Sequence, residues 1–378
     1  MHFIPVFPSS VPQCSGPAGW VAWRVSAAVR AAVRAWALAG VLAGLAMPGL
    51  AQTPPSPALL PAAAPAAAPA VAPATTPPAA TSAAATAADE QAPAPLELIV
   101  LGSGGPGATG RAGSSYLVLV DGEPRILVDA GPGSFVRLGE THLKLSKLDL
   151  VLLTHLHVDH ADELPGIVKA RAVSGGGPAT FNVFGPGAAS ARAGVPGFPS
   201  TTQFVNLLFG PQGAFRYLTD FAAPVTFHVT NLPRPAAGKH APAVVFEEDD
   251  LRIEAVAGHH GDAPAVTYRV RHAGRSITFS GDIDAAGLPA LRRIAQGSDM
   301  LVFSMVVLDP PGSREILYTL HTPPGAIAAL ARDAGVHRLV LSHLSPAVER
   351  EREAVSASIA ASYRGEVVYA TDGLRLTP

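Results

Sequence analysis

The chain has 378 residues, enough by length for two domains or more, and its 27 Lys and Arg nearly balance 29 Asp and Glu. No cluster of Lys and Arg is visible and only four Lys occur, which argues against the phosphate-gripping surface of a protein that holds an RNA backbone. The single cysteine, Cys14, excludes a disulfide framework.

The first quarter does not read as globular. Arg24, Arg30 and Arg34 precede an apolar stretch from Trp36 to Met47, and Gly49-Leu50-Ala51 comes just before Gln52. A charged region, a short apolar run and a small-residue site form the pattern of an export signal over residues 1–51, cleaved after Ala51. An uncleaved anchor is the alternative, although the run is too short for a comfortable membrane span. No Arg-Arg pair supports twin-arginine export. Cleavage removes Cys14 and three Arg, leaving 24 basic against 29 acidic residues in a mildly acidic periplasmic or secreted chain. Residues 52–95 are almost only Ala, Pro, Thr and Ser. They cannot bury enough apolar surface to offset the entropy of ordering, so they are expected to be a disordered linker.

Residues 96–378 are large enough for one well-buried domain. Strand-like runs at 97–101, 115–120, 125–129 and 149–154 precede a helix at 163–173. A second half carries runs at 251–256, 265–271, 276–280, 299–303 and 338–342, with helices near 286–296, 323–335 and 346–363. Between them, residues 175–245 read as a Gly- and Pro-rich insertion whose Phe204, Phe209, Phe215, Tyr217 and Phe221 are either the core of a small subdomain or a lid. Two β-rich halves with helices outside imply an α+β protein, a four-layer αββα sandwich that brings strand ends from both halves to one edge.

The densest chemistry lies in Thr154-His155-Leu156-His157-Val158-Asp159-His160, directly after the apolar run Leu150-Val151-Leu152-Leu153. A strand ending in a tight turn can aim His155 and His157 at one point and bring Asp159 and His160 to a second. Imidazole and carboxylate suit Zn²⁺ and, less selectively, Mn²⁺ or Fe. Four ligands do not close two sites, but later strand ends add His260, Asp282 and His343. The resulting set is His155, His157 and His260 for one ion and Asp159, His160 and His343 for the other, with Asp282 between. His259 is the competitor of His260, although in an extended segment it faces the opposite side.

These residues stand in a motif series that resembles the metallo-β-lactamase-fold hydrolases, in their ribonuclease Z and zinc arylsulfatase-like branch. The matches run from Leu98-Ile99-Val100-Leu101-Gly102-Ser103-Gly104-Gly105-Pro106 through Ile126-Leu127-Val128-Asp129-Ala130-Gly131-Pro132-Gly133 to the His-rich motif. They continue in His260 with Tyr268-Arg269, Gly281-Asp282, His321-Thr322 and Ser342-His343-Leu344-Ser345-Pro346. The resemblance covers about Leu96 to Pro378 and implies two Zn²⁺ holding a bridging hydroxide as nucleophile. It also implies His321 as proton donor to the leaving group, with Asp129 orienting a ligand imidazole. Asp159 counts among both the ligands and the catalytic groups. The chain departs from ribonuclease Z where that family pairs its His with a Glu, since the matching position is Ser304.

That departure, the acidic balance and the export signal favour an exported di-zinc hydrolase of small anionic esters, arylsulfatase-like or phosphodiesterase-like. The expected partner is a small-molecule ester, with no nucleic acid and no stable membrane span, and a homodimer is the open option for assembly. The alternatives are a ribonuclease Z-type endonuclease that processes tRNA 3′ ends, a lactonase or β-lactamase, and a metal-holding binding module of the cell envelope.

Overall fold

The computed structural model describes residues 93–378 apart from 108, 175–176, 233–240 and 310–311. The export signal and nearly all of the linker lie outside the described residues. No helix among the described residues is long and apolar enough to cross a membrane.

Two seven-stranded sheets share one plan. In the first, β1 (Leu96–Gly102), β2 (Ser115–Val120) and β3 (Glu123–Val128) form an antiparallel meander. Parallel pairing then leads from β3 to β4 (Leu150–Leu152), β5 (Ala179–Pro186) and β6 (Val225–Leu232). In the second, β7 (Ala243–Glu248), β8 (Leu251–Ala257), β9 (Val266–His272) and β10 (Arg275–Phe279) run antiparallel. From β10 the pairing turns parallel through β11 (Met300–Ser304), β12 (Arg338–Ser342) and β13 (Glu366–Tyr369). The chain closes with β14 (Arg375–Leu376) antiparallel to β1.

Residues of the central strands, such as β2, β4 and β11, alternate between two buried environments, which is why these runs are mostly apolar rather than striped. Leu98, Val118, Ile126 and Leu150 meet Ile253, Tyr268, Ile277, Val302 and Val340 between the sheets. Their neighbours Ile99, Leu117, Leu127 and Val151 face outward and pack under α1 (Ser134–Glu140), α3 (Leu164–Ser174) and α4 (Thr201–Phe209), through Leu138, Ile167, Val168 and Val205. On the other side Leu301, Phe303, Leu339 and Leu341 pack under α5 (Leu288–Ile294), α7 (Pro324–Asp333) and α9 (Arg352–Ala360). The layers are therefore α, β, β, α. Each fully buried Leu, Ile or Phe in them contributes about 1.5–3 kcal/mol relative to exposure.

Two expectations change. Residues 175–245 are not an insertion between two halves, because β5 and β6 complete the first sheet and α4 covers it. Phe181, Phe209 and Phe227 stack in that outer core, Phe209 on Phe227 at 4.6 Å between ring centroids. Strand β5 sits early in the stretch, where Gly and Pro obscure its period. The helix expected over 346–363 is two, α8 (Pro346–Arg350) and α9, parted at Glu351. The sequence reading also passed over α1, whose seven residues are too few to display a period.

Candidate metal centre

The site sits where the parallel strands of both sheets end. Beyond β4 the backbone bends at Thr154 and runs to an extended His157, which caps the one-turn helix α2 (Val158–Ala161) at φ −69°, ψ 152°. His155 and His157, two apart in this segment, bring their rings to the same side. The helical turn that follows carries Asp159 and His160 round to a second position. Gly281, beyond the end of β10, takes φ 58° and throws Asp282 inward. His343, directly after β12, takes φ 55°, and Asp129, directly after β3, φ 58°. Left-handed backbone at a residue with a Cβ costs of order 1–3 kcal/mol and persists where the surrounding packing over-determines it.

The seven residues proposed from sequence lie together. Imidazole centroids are 4.6 Å apart for His155 and His157, 4.9 Å for His155 and His260, and 5.0 Å for His157 and His260. The second group places His343 Nε2 3.2 Å and His160 Nε2 3.8 Å from Asp159 Oδ2. Asp282 stands between the groups, Oδ1 3.6 Å from His160 Nε2 and Oδ2 3.3 Å from His343 Nε2 and 3.9 Å from His260 Nε2. His155, His160, His343 and Asp282 are almost wholly buried.

The donors fit divalent cations. Nε2 of His155, Nε2 of His160 and Oδ1 of Asp282 are buried without a hydrogen-bond partner. A buried polar atom left unpaired costs about 1–3 kcal/mol, so three of them aimed into one cluster form a donor set that could hold a metal ion. Burial, reinforced by the neighbouring imidazoles of His160 and His260, holds His155 far below the usual histidine range, in the neutral form that coordinates metal. Burial also opposes charge on His160, but the Asp282 and Asp129 carboxylates outweigh it and raise its pKa well above the usual value. A divalent cation would satisfy the same carboxylates and leave that imidazole neutral.

Supporting contacts orient the ligands. Asp129 accepts from the Thr154 backbone N–H at 2.7 Å and the Thr154 hydroxyl at 2.8 Å, and its Oδ2 is 2.8 Å from His160 Nδ1. His260 Nδ1 lies 2.8 Å from the Leu320 carbonyl, which leaves Nε2 facing the cluster. His259 turns outward, half exposed, with Nδ1 2.7 Å from Asp284 Oδ2.

His321 reaches the same place from the loop between α6 (Glu315–Tyr318) and α7. Its Nδ1 is 3.8 Å from Asp282 Oδ2 and unpaired, and its ring is 5.3 Å from that of His260. Burial takes its pKa down to about 4, the Asp282 carboxylate only partly offsetting the effect. The loop is pinned by the Thr322 hydroxyl on the Ile283 carbonyl at 2.9 Å. Ser304, buried at the end of β11, donates its backbone N–H to the Ser280 hydroxyl and brings no carboxylate to the site.

Two features border the cluster. A cavity of about 490 Å³ opens beside Asp159, lined among others by Pro106, Arg111, Val136, Arg137 and Val158. Next to His157 lies Phe198, its ring centroid 6.2 Å from the imidazole. Of the aromatics read as either a subdomain core or a lid, Phe204 and Phe209 belong to the outer core, Tyr217 packs on Phe221 at the surface, and Phe215 is exposed. Phe198 was missed because nothing in Gly197-Phe198-Pro199 reveals which way its turn folds.

Residues 124–344 match the family described as the beta-lactamase superfamily domain. The chain is 30% identical over 281 residues to ribonuclease Z of Mycobacterium marinum, spanning 71% of this chain and 94% of that protein. It is also 30% identical over 290 residues to ribonuclease Z of Mycobacterium avium, spanning 73% and 96%. Human tRNase Z, short form, superposes with a TM-score of 0.53 at 21% identity over 75% of this chain and 99% of that one. The metallo-beta-lactamase fold protein YhfI from Bacillus subtilis gives 0.53 at 18% identity over 75% and 99%. At such identities these structures speak for the fold alone.

Proposed function

Because the chain belongs to the beta-lactamase superfamily, in its ribonuclease Z branch, and is a metal-dependent hydrolase of that superfamily, we propose that it hydrolyses phosphodiester bonds in the manner of a ribonuclease Z, with RNA 3′ ends as the leading substrate class. One observation carries this: seven His and Asp side chains, with buried unpaired ligand atoms among them, converge between two sheets in a chain whose relatives are named ribonuclease Z. The sulfatase expectation gives way to it, since the names of those relatives speak for phosphodiesters. The expectation of no nucleic-acid partner gives way with it.

His155, His157 and His260 would hold one ion and Asp159, His160 and His343 a second, with Asp282 shared. Two divalent ions held there would supply charge neutralisation at the phosphoryl group and a water acidified toward neutral pH. Asp129 holds the His160 ring in place, and the Leu320 carbonyl does the same for His260. His321 would give a proton to the leaving oxygen only as the imidazolium, a form that burial holds to a small fraction at pH 7.

A second reading, an exported enzyme for small phosphodiesters, is favoured by the acidic balance of the chain beyond Ala51 and by its scarcity of Lys. One experiment separates them: the metal-loaded chain is assayed on a tRNA precursor, bis(p-nitrophenyl) phosphate, an aryl sulfate and a lactone, and the N-terminus recovered from its natural host is sequenced. Cleavage of the precursor by a chain with an intact leader supports the RNA reading. Turnover of the small diester alone, in a chain beginning at Gln52, supports the exported enzyme. Turnover of sulfate or lactone but of neither phosphodiester overturns both.

A further inference from the structure

Between β5 and α4 the chain makes a hairpin that the proposed catalysis does not use. Ala189 and Phe198 exchange backbone hydrogen bonds of 3.1 and 2.9 Å, and Arg192 and Val195 exchange a second pair at the tip. The Arg192 guanidinium pairs with Asp262, two residues beyond the ligand His260. The hairpin thus leaves the first sheet and is tethered to the loop that carries a ligand from the second. The ion pair is exposed and screened, so it orients the hairpin more than it stabilises it. Ser200 then starts α4 with a reciprocal capping box to Gln203, which fixes the exit of the hairpin.

Its base presents Phe198 to the His157 imidazole at 50° between planes, with the phenyl ring only part buried. At the edge of a cluster of imidazoles and carboxylates, the Phe198 ring therefore keeps part of its apolar surface accessible. A planar organic group attached to an anion held by the cluster would cover it.

We propose that the Ala189–Phe198 hairpin is a specificity element, with Phe198 as the stacking wall for the flat aromatic group, nucleobase or aryl, that flanks the phosphoryl group of the substrate. The assignment rests on the phosphodiesterase reading for the anion and adds the group beside it. Stacking on an aromatic side chain tolerates every base, so the wall selects for flatness and not for sequence.

Calorimetry on the full-length, zinc-loaded protein tests this without turnover, comparing adenosine 5′-monophosphate with ribose 5-phosphate and phenyl phosphate with methyl phosphate. Phe198→Ala should weaken adenosine monophosphate about ten-fold, within the range for one stacked base. Ribose 5-phosphate affinity and zinc content should not change, and Phe198→Trp should restore the preference. Arg192→Ala, which frees the hairpin from Asp262, should reduce the same preference in the same direction. A Phe198-dependent preference in both pairs marks a general aryl wall, and one in the nucleotide pair alone marks a base-selective one. Equal weakening of adenosine monophosphate and ribose 5-phosphate, or loss of zinc in Phe198→Ala with no rescue by Trp, overturns the proposal. If no phosphodiester is hydrolysed but the Phe198-dependent preference persists, the activity reading fails and the subsite stands. If diesters are hydrolysed and Phe198→Ala treats both members of each pair alike, the reverse holds.

Discussion

Asp284 Oδ2 lies 2.7 Å from His259 Nδ1 and 3.2 Å from the Gly261 backbone nitrogen, so one buried carboxylate grips the residues on both sides of His260. Its own backbone N–H donates to the His259 carbonyl at 2.9 Å, and its Oδ1 accepts from Ala286. Because Asp284 follows Asp282 by two residues, the contact staples the loop beyond β8 to the loop beyond β10.

Asp284→Ala should therefore loosen two proposed ligands without removing either. Loss of such an outer partner typically costs 10–100-fold in metal affinity, which competition with a chromophoric chelator would read. Circular dichroism of the metal-free variant should remain native. Wild-type zinc affinity in this variant would mean that sheet register alone sets the two loops.

Asp282→Ala and His157→Ala should behave differently from each other. Asp282 lies between both groups, so its loss should lower zinc below one ion per chain and abolish hydrolysis. His157 belongs to one group, so its loss should leave roughly one ion by elemental analysis. Two ions and full turnover in Asp282→Ala would refute the paired-metal reading. Chelation of the wild type should lower its thermal midpoint, because metal bound only by the folded state stabilises that state.

Gly281→Ala should cost about 2 kcal/mol by denaturant titration and reduce zinc content. A Cβ at φ 58° would sit 2.7 Å from Thr154 Cβ, and the displaced backbone carries Asp282. Gly274→Ala is the control, since φ is 77° there but no atom lies within 4 Å of the new Cβ. It should lose about 1 kcal/mol and keep its metal.

His321→Ala should slow esters with basic leaving groups by about 10²–10⁴-fold and nitrophenyl esters far less, because only the former need a proton in the transition state. Zinc content should hold. Loss of zinc would mean that His321 Nδ1, unpaired and 3.8 Å from Asp282 Oδ2, is a ligand. An equal slowing of all esters with zinc intact would give His321 a structural role.

What the sequence determined by itself is the chemistry and the layer order. The His155 to His160 cluster, the later Gly281-Asp282 and His343, and the strand runs that precede them state their residue types locally, and type with spacing is enough to propose ligands. Apolar runs without alternation similarly imply strands buried on both faces. Tertiary structure alone decided what depends on direction and pairing. Strands β5 and β6 joined the first sheet because parallel pairing of β4, β5 and β6 is non-local. His259 turned out to Asp284 while His260 turned in to the Leu320 carbonyl 60 residues away. Phe198 reached His157 because a hairpin folded back across the edge of the site, and no periodicity in its own sequence encodes where that turn ends.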